Sequence, residues 1–117
     1  MIDDEIDFSN TRSNLLYTPE GHMYLYILYQ ALEDYRKTRP KQPMKIRALE
    51  FLMSDSDVLK LTCWLLGIEL YKVNAIVYDK ELFTLFKRKI KYLTLSVERY
   101  LDNLEEENED DENDDQY

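Results

Sequence analysis

The chain reads as an all-α protein: about five helices with a helix-turn-helix-like corner, a long C-terminal helix and a disordered acidic tail. Three observations predict this. Only two glycines and three prolines stand among 117 residues, too few for the many turns of an all-β sandwich. Residues 61–78, LTCWLLGIELYKVNAIVY, read as a short helix, a turn at Gly67 and a second short helix. Phe83, Phe86, Ile90, Leu93, Val97, Tyr100 and Leu104 step by alternating threes and fours, a heptad seam. The length fits one domain. It divides into an N-terminal arm over 1–17, a helical domain over 18–104 and a tail over 105–117.

The arm mixes acids, Ser and Asn with a few apolar residues, of which Ile6, Phe8, Leu15 and Leu16 can anchor it. Thr18 then offers an N-cap, Pro19 suits the first helical position, and Glu20 favours the positive end of the dipole. A helix over 19–37 follows, with Tyr24, Leu28, Leu32 and Tyr35 on one stripe that Leu25, Ile27 and Ala31 widen. Gly21 weakens its first turn. Pro40 and Pro43 break the chain. A second helix over 43–53 is expected to turn Met44, Ala48, Phe51 and Leu52 to the core. Ser54 or Ser56 caps the next, over 57–66, and Gly67 fits its left-handed C-cap. A short helix over 69–78 and a long one from 80 to about 105, capped by Asp79, complete the domain.

Enzyme chemistry finds little support, and the chain is expected to be non-enzymatic. There is no Gly-rich phosphate loop and no nucleophile elbow. One cysteine excludes an internal disulfide, and one histidine excludes paired-His metal sites. His22 reads as exposed, and Cys63 as a small packed residue with an inert thiol. The tail's carboxylates lack the spacing of a calcium loop. No cofactor or metal is expected. No apolar run approaches the roughly 18 residues of a membrane span, and the acidic start is unlike a signal peptide. The reading is a soluble, cytoplasmic protein.

The net charge of −9 is an average over unlike parts. Residues 1–8 and 102–117 hold fourteen of the 24 acids and no base, leaving ten acids against fifteen bases between them. Arg36, Lys37, Arg39, Lys41, Lys45 and Arg47 form one cluster without an acid. Lys87, Arg88, Lys89 and Lys91 form another. Both suit phosphates, independent of base sequence; a solvated basic surface is the alternative. The tail suits three roles: competing with nucleic acid for the basic body, mimicking phosphates, or aiding solubility.

A helix-turn-helix needs a small residue at the helix contact, a glycine turn and inward apolar residues. Cys63, Gly67 and the set Leu66, Ile68, Val73 and Ile76 supply them. Outward positions would be Glu69, Tyr71, Lys72, Asn74, Ala75 and Tyr78. Asn74 can read adenine and Lys72 can hold guanine or phosphate, although Glu69 stands where a phosphate approaches. Trp64 and Leu65 occupy positions that a free-standing motif leaves to solvent, so they pack under another helix or a partner. The seam either covers the protein's own bundle or joins two copies. In the second case Phe86, Ile90, Leu93, Val97 and Tyr100 form a homodimer interface with Trp64 and Leu65 beside it.

Ala48, Phe51, Leu52, Ser54, Cys63, Leu66, Gly67, Ile68 and Val73 fall in an order that resembles a class of small bacteriophage proteins, over roughly residues 30–73. The resemblance implies a viral accessory protein with a helix-turn-helix-like core, working in the host cytoplasm. The chain departs from that class after Ile68, where Glu69-Leu70 and a single Lys72 stand in place of Asp-Pro and arginines. Two functions are therefore expected. The first is a DNA-associated or regulatory protein binding duplex DNA. The second is a protein–protein module, a virion component or an acidic DNA-mimic inhibitor of a host enzyme.

Overall fold

The computed structural model describes the backbone of residues 6–37 and 42–115, with side chains over 6–36 and 42–105. Six α-helices follow one another: α1 (Ser13–Leu16), α2 (Pro19–Lys37), α3 (Pro43–Leu52), α4 (Asp57–Leu66), α5 (Leu70–Ala75) and α6 (Lys80–Asp115), with a 3-10 turn at Ile76–Tyr78 between the last two. No strand occurs among the described residues. The all-α expectation holds, and the five expected helices are present.

Helix α2 is the central element and packs against α1, α3, α4 and α6. Its fully buried Leu25, Leu28 and Leu32 meet Leu52 of α3, Leu59 and Leu66 of α4, and Phe83, Phe86, Ile90 and Val97 of α6 in one cluster. Cross-contacts fix its direction against α6. Arg36 reaches Thr84, Glu33 reaches Lys87, and Tyr17, just before α2, meets Tyr100 edge-on at 5.5 Å. The two helices are therefore antiparallel. Buried Thr62 and Thr94 donate to the carbonyls of Val58 and Ile90, so neither hydroxyl lacks a partner inside the core.

The caps lie where local chemistry puts them. Thr18 Oγ1 accepts from the Gly21 N–H, Ser56 Oγ from the Leu59 N–H, and Asp79 Oδ1 from the N–H groups of Glu81 and Leu82. Several expectations need correction. Residues 13–16 form a helical turn within the arm, because Leu16 is completely buried and its N–H bonds back to Arg12. Leu15 and Met44 face solvent instead of the core. Glu69 is the N-cap of α5 and not part of it, and the last three residues of the expected 69–78 helix tighten into the 3-10 turn. Helix α6 runs to Asp115, past its expected end near 105; no Gly or Pro interrupts the acidic run.

The arm closes the C-terminal end of α4. A helix leaves its last four carbonyls without intrahelical partners. Here Gly67, with φ +70°, turns the chain so that the Ile68 N–H bonds to Cys63 O at 3.0 Å and the Gly67 N–H to Trp64 O at 3.2 Å, a Schellman pair. The arm supplies the rest. The Arg12 N–H donates to Leu65 O, Thr11 Oγ1 donates to Leu66 O, and the Arg12 guanidinium donates to Trp64 O and lies 4.3 Å above the Trp64 ring. Asn10 comes so close that a Cβ on Gly67 would stand 2.3 Å from its carbonyl oxygen.

Gly67→Ala is therefore expected to cost more than the roughly 1–2 kcal/mol of a left-handed alanine, because it must also push the arm away. Urea unfolding measures the loss. Faster tryptic cleavage after Arg12 under native conditions would report the released arm. A variant with wild-type stability and cleavage would show that the arm is not held there.

Candidate nucleic-acid interface

A short turn through Gly67 joins α4 to α5, but the surfaces of this corner are occupied from within. Asn74, expected outward as an adenine reader, is half-buried: its amide donates to Leu52 O at 2.6 Å and Ser54 O at 3.2 Å. It thereby closes the end of α3. Val73 and Ile76 are buried as expected, and Asn74, about 100° round the helix from Val73, lies at the edge of that inward face, within reach of the end of α3. Lys72 lines a small pocket with Asp7, Asn10 and Glu69, two of them acidic. The Asp7 carboxyl is held below its usual range by hydrogen bonds from the Ser9 N–H and hydroxyl, with Lys72 adding to the effect. Tyr71 hydrogen-bonds to Glu69, which pushes its phenol up. Glu69, Tyr71, Ala75 and Tyr78 are exposed as expected.

Antiparallel packing of α2 on α6 brings Arg36 and Lys45 to the same end of the bundle as Lys87. Arg36 Nη1 donates to Thr84 Oγ1 at 2.8 Å. Lys45 Nζ stands 4.8 Å above the Tyr35 ring, and that ring packs 5.3 Å from Phe83 of α6. Lys87 pairs with Glu33 at 3.4 Å, and Glu33 also accepts from the Tyr29 hydroxyl at 2.6 Å. That bond pushes the Tyr29 phenol up to about 12. Arg47 is exposed and lines a cleft with Asp34. Lys37 lies at the end of α2, but its side chain is outside the described residues, as are Arg39 and Lys41.

The cations of α6 divide between two faces. Lys80, Thr84, Lys87 and Lys91 recur at steps of four, three and four, one stripe of a helix. Thr84 and Lys87 touch α2, which places that stripe beside Arg36. Arg88 and Lys89 point to another side, toward Ile6 and Phe8 of the arm. Sequence reasoning groups all four of Lys87, Arg88, Lys89 and Lys91 and misses Lys80; the helical spacing alone separates them. It also misses Arg12, whose partners at α4 are backbone carbonyls without a sequence signature.

The seam is internal. Phe86, Ile90 and Val97 are buried in the protein's own core, Leu93 packs against it, and Leu65 is buried as well. These residues therefore cover the protein's own bundle, the first of the two expectations for the seam. Only Trp64 and Tyr100 remain about half exposed. Trp64 carries Arg12, and Tyr100 meets Tyr17.

Among the described residues, no group of three or more His, Cys, Asp or Glu could hold a metal ion. His22 is half-buried, not exposed, and stacks on Tyr26. Cys63 is buried, and desolvation pushes its thiol up to about 11. No helix of the described residues is long and apolar enough to cross a membrane. No protein-family model matches the chain, and no curated protein or solved structure is significantly similar to it.

Asn74→Ala should lower stability by about 1–3 kcal/mol, the cost of leaving buried carbonyls unsatisfied, and should not change affinity for duplex DNA. Full stability with weakened DNA binding would return Asn74 to a reading role. The Cys63 thiol keeps its proton in the fold up to about 11 against 9.0 ordinarily. The unfolded chain releases that proton first, so stability should fall as pH rises from about 9 toward 11. The fall should be shallower in Cys63→Ala. Equal slopes for the two chains in urea titrations would exclude the thiol as their source.

Proposed function

We propose a non-enzymatic, DNA-associated protein that holds duplex phosphates on the basic end of its bundle, independent of base sequence. The observation that carries this reading is the convergence of Arg36 and Lys45 with the Lys80, Lys87 and Lys91 stripe. Arg47 extends the same surface in this reading, and the linker cations Lys37, Arg39 and Lys41, whose side chains lie outside the described residues, are expected to hold phosphates too. Each phosphate held by a cation releases counterions and strengthens binding at low salt.

The charge order along α6 supports the reading. Lysines crowd its N-terminal half and acids its C-terminal end, with no base in the last turn. The macrodipole favours the reverse order, so helix stability does not account for it. Asp102 and the acids after it sit at the end of α6 remote from the basic surface, where they would disfavour a second approach to phosphates. The helix-turn-helix-like corner serves as architecture in this account, with Asn74 and Lys72 already engaged. An accessory role in a bacteriophage, acting in the host cytoplasm, fits the class the sequence resembles over residues 30–73.

The test is duplex DNA affinity against salt for the wild type and for the chain with Arg36→Gln, Lys45→Gln and Lys91→Gln. The logarithmic slope should flatten by up to about 0.9 for each phosphate that the variant no longer neutralises, and Lys72→Gln should leave it unchanged. Equal slopes for wild type and triple variant, or no binding at low salt, would overturn the proposal.

A further inference from the structure

A cleft of about 500 Å³ lies between the arm and the outer face of α6. Ile6 and Phe8 form one wall. Phe86 forms the floor, its ring 6.0 Å from Phe8 and nearly parallel to it. Leu82, Leu85 and Tyr92 form the other wall, and Arg88 and Lys89 complete the lining. Leu85 and Tyr92 are 45% and 70% exposed, and one turn further along Leu95 is 45% exposed. Exposed apolar side chains that recur on one face need a cover or a partner. This face is separate from the Lys80, Lys87 and Lys91 stripe.

We infer that this groove docks an acidic amphipathic helix of another protein. Two features choose that occupant. The apolar strip from Leu85 to Leu95 is about 15 Å long at the helical rise of 1.5 Å per residue, three turns. That matches the i, i+3/4, i+7 anchors of a helix laid in a groove. Its charge is of one sign: no acid occurs between Leu82 and Val97, and the lining residues Arg88 and Lys89 are exposed. Carboxylates flanking an apolar stripe complement both features. Duplex DNA offers phosphates but nothing to fill the apolar floor. The acidic segment of a second copy offers Leu104 as its one large apolar side chain before Tyr117, too little for three turns of groove. The wall of Ile6 and Phe8 makes the surface concave, which suits an inserted side chain better than a bilayer.

The experiment titrates the full chain into a fluorescein-labelled synthetic helix of about fourteen residues. Leu and Phe occupy its i, i+3, i+4 and i+7 positions, and Glu fills the rest. A scrambled peptide of the same composition is the control. Anisotropy should report binding of the patterned helix and at least about tenfold weaker binding of the scramble. Leu85→Ser with Tyr92→Ser, and separately Arg88→Gln with Lys89→Gln, should each weaken binding about tenfold. All four side chains are exposed or lie at the groove lip, so the variants are expected to fold, and thermal melts check this. The DNA salt slope should not move in the Leu85 and Tyr92 variant, which separates this surface from the phosphate-binding one. Equal affinity for the scramble, or unchanged affinity in folded Leu85 and Tyr92 variants, would overturn the inference. So would capture by phosphatidylserine vesicles without peptide binding. If only a chain with Asp3→Asn, Asp4→Asn and Glu5→Gln bound the probe, the groove would belong to the chain's own N-terminus and the inference would fall.

Discussion

The C-terminal end of α4 is the constraint on which the rest of the fold depends. Four backbone carbonyls there lack helical partners, and burial without partners would cost about 1–3 kcal/mol each. Gly67 and Ile68 close two of them, and Thr11 and Arg12 close the others from more than fifty residues away. The solution requires a residue with positive φ and no side chain at position 67. It also fixes where the arm runs. Once Thr11 and Arg12 are bonded to α4, Ile6 and Phe8 reach α6, and the α1 turn sets Leu16 against Gly21 at the start of α2. A Cβ on Gly21 would stand 2.2 Å from the Leu16 carbonyl oxygen. Both glycines of the chain thus serve close approaches between the arm and the bundle.

Helix α6 connects this architecture to the surfaces. Its inner face of Phe83, Phe86, Ile90 and Val97 completes the core. The face toward α2 carries Lys80, Lys87 and Lys91. The face toward the arm carries Leu85, Arg88, Lys89 and Tyr92. A single helix can serve three neighbours because its side chains repeat every 3.6 residues. A shift of one residue in its register against α2 would rotate all three faces together by about 100°. The Tyr29–Glu33–Lys87 contacts and the Arg36–Thr84 bond resist such a shift, since each joins side chains of defined reach.

Much of this is legible in the sequence, and the limits have physical reasons. Thr18, Gly67 and Asp79 read as caps, and Ser54 or Ser56 as another, because a cap is decided by two or three adjacent residues. The heptad seam is legible as an apolar face. Periodicity says that a face needs covering, not what covers it, so it does not assign Phe86, Ile90 and Val97 to the interior or to a second copy. Asn74 is misplaced by pattern alone because it borders the inward face of Val73 and Ile76, and its partners, the Leu52 and Ser54 carbonyls, are backbone atoms twenty or more residues away. The hydrogen bonds of Arg12 to α4 are invisible because their acceptors are backbone carbonyls. Met44 follows a helix-starting proline and sits on the solvent side of α3, where an apolar residue type misleads.

A helix-turn-helix reads bases only if the first turn of its second helix stands free to enter a groove. Here that turn begins beside Asp7, Asn10 and Glu69, which line one pocket with Lys72. A phosphate approaching this site would meet carboxylates before the ammonium. The arm that stabilises α4 is thus the same element that closes the corner to a polyanion. Any attraction to DNA must then come from cations farther along, which α2 and α6 gather at the end of the bundle away from the acids after Asp102. The corner motif and the basic surface are therefore separate features of the chain, the second set by the direct packing of α2 on α6.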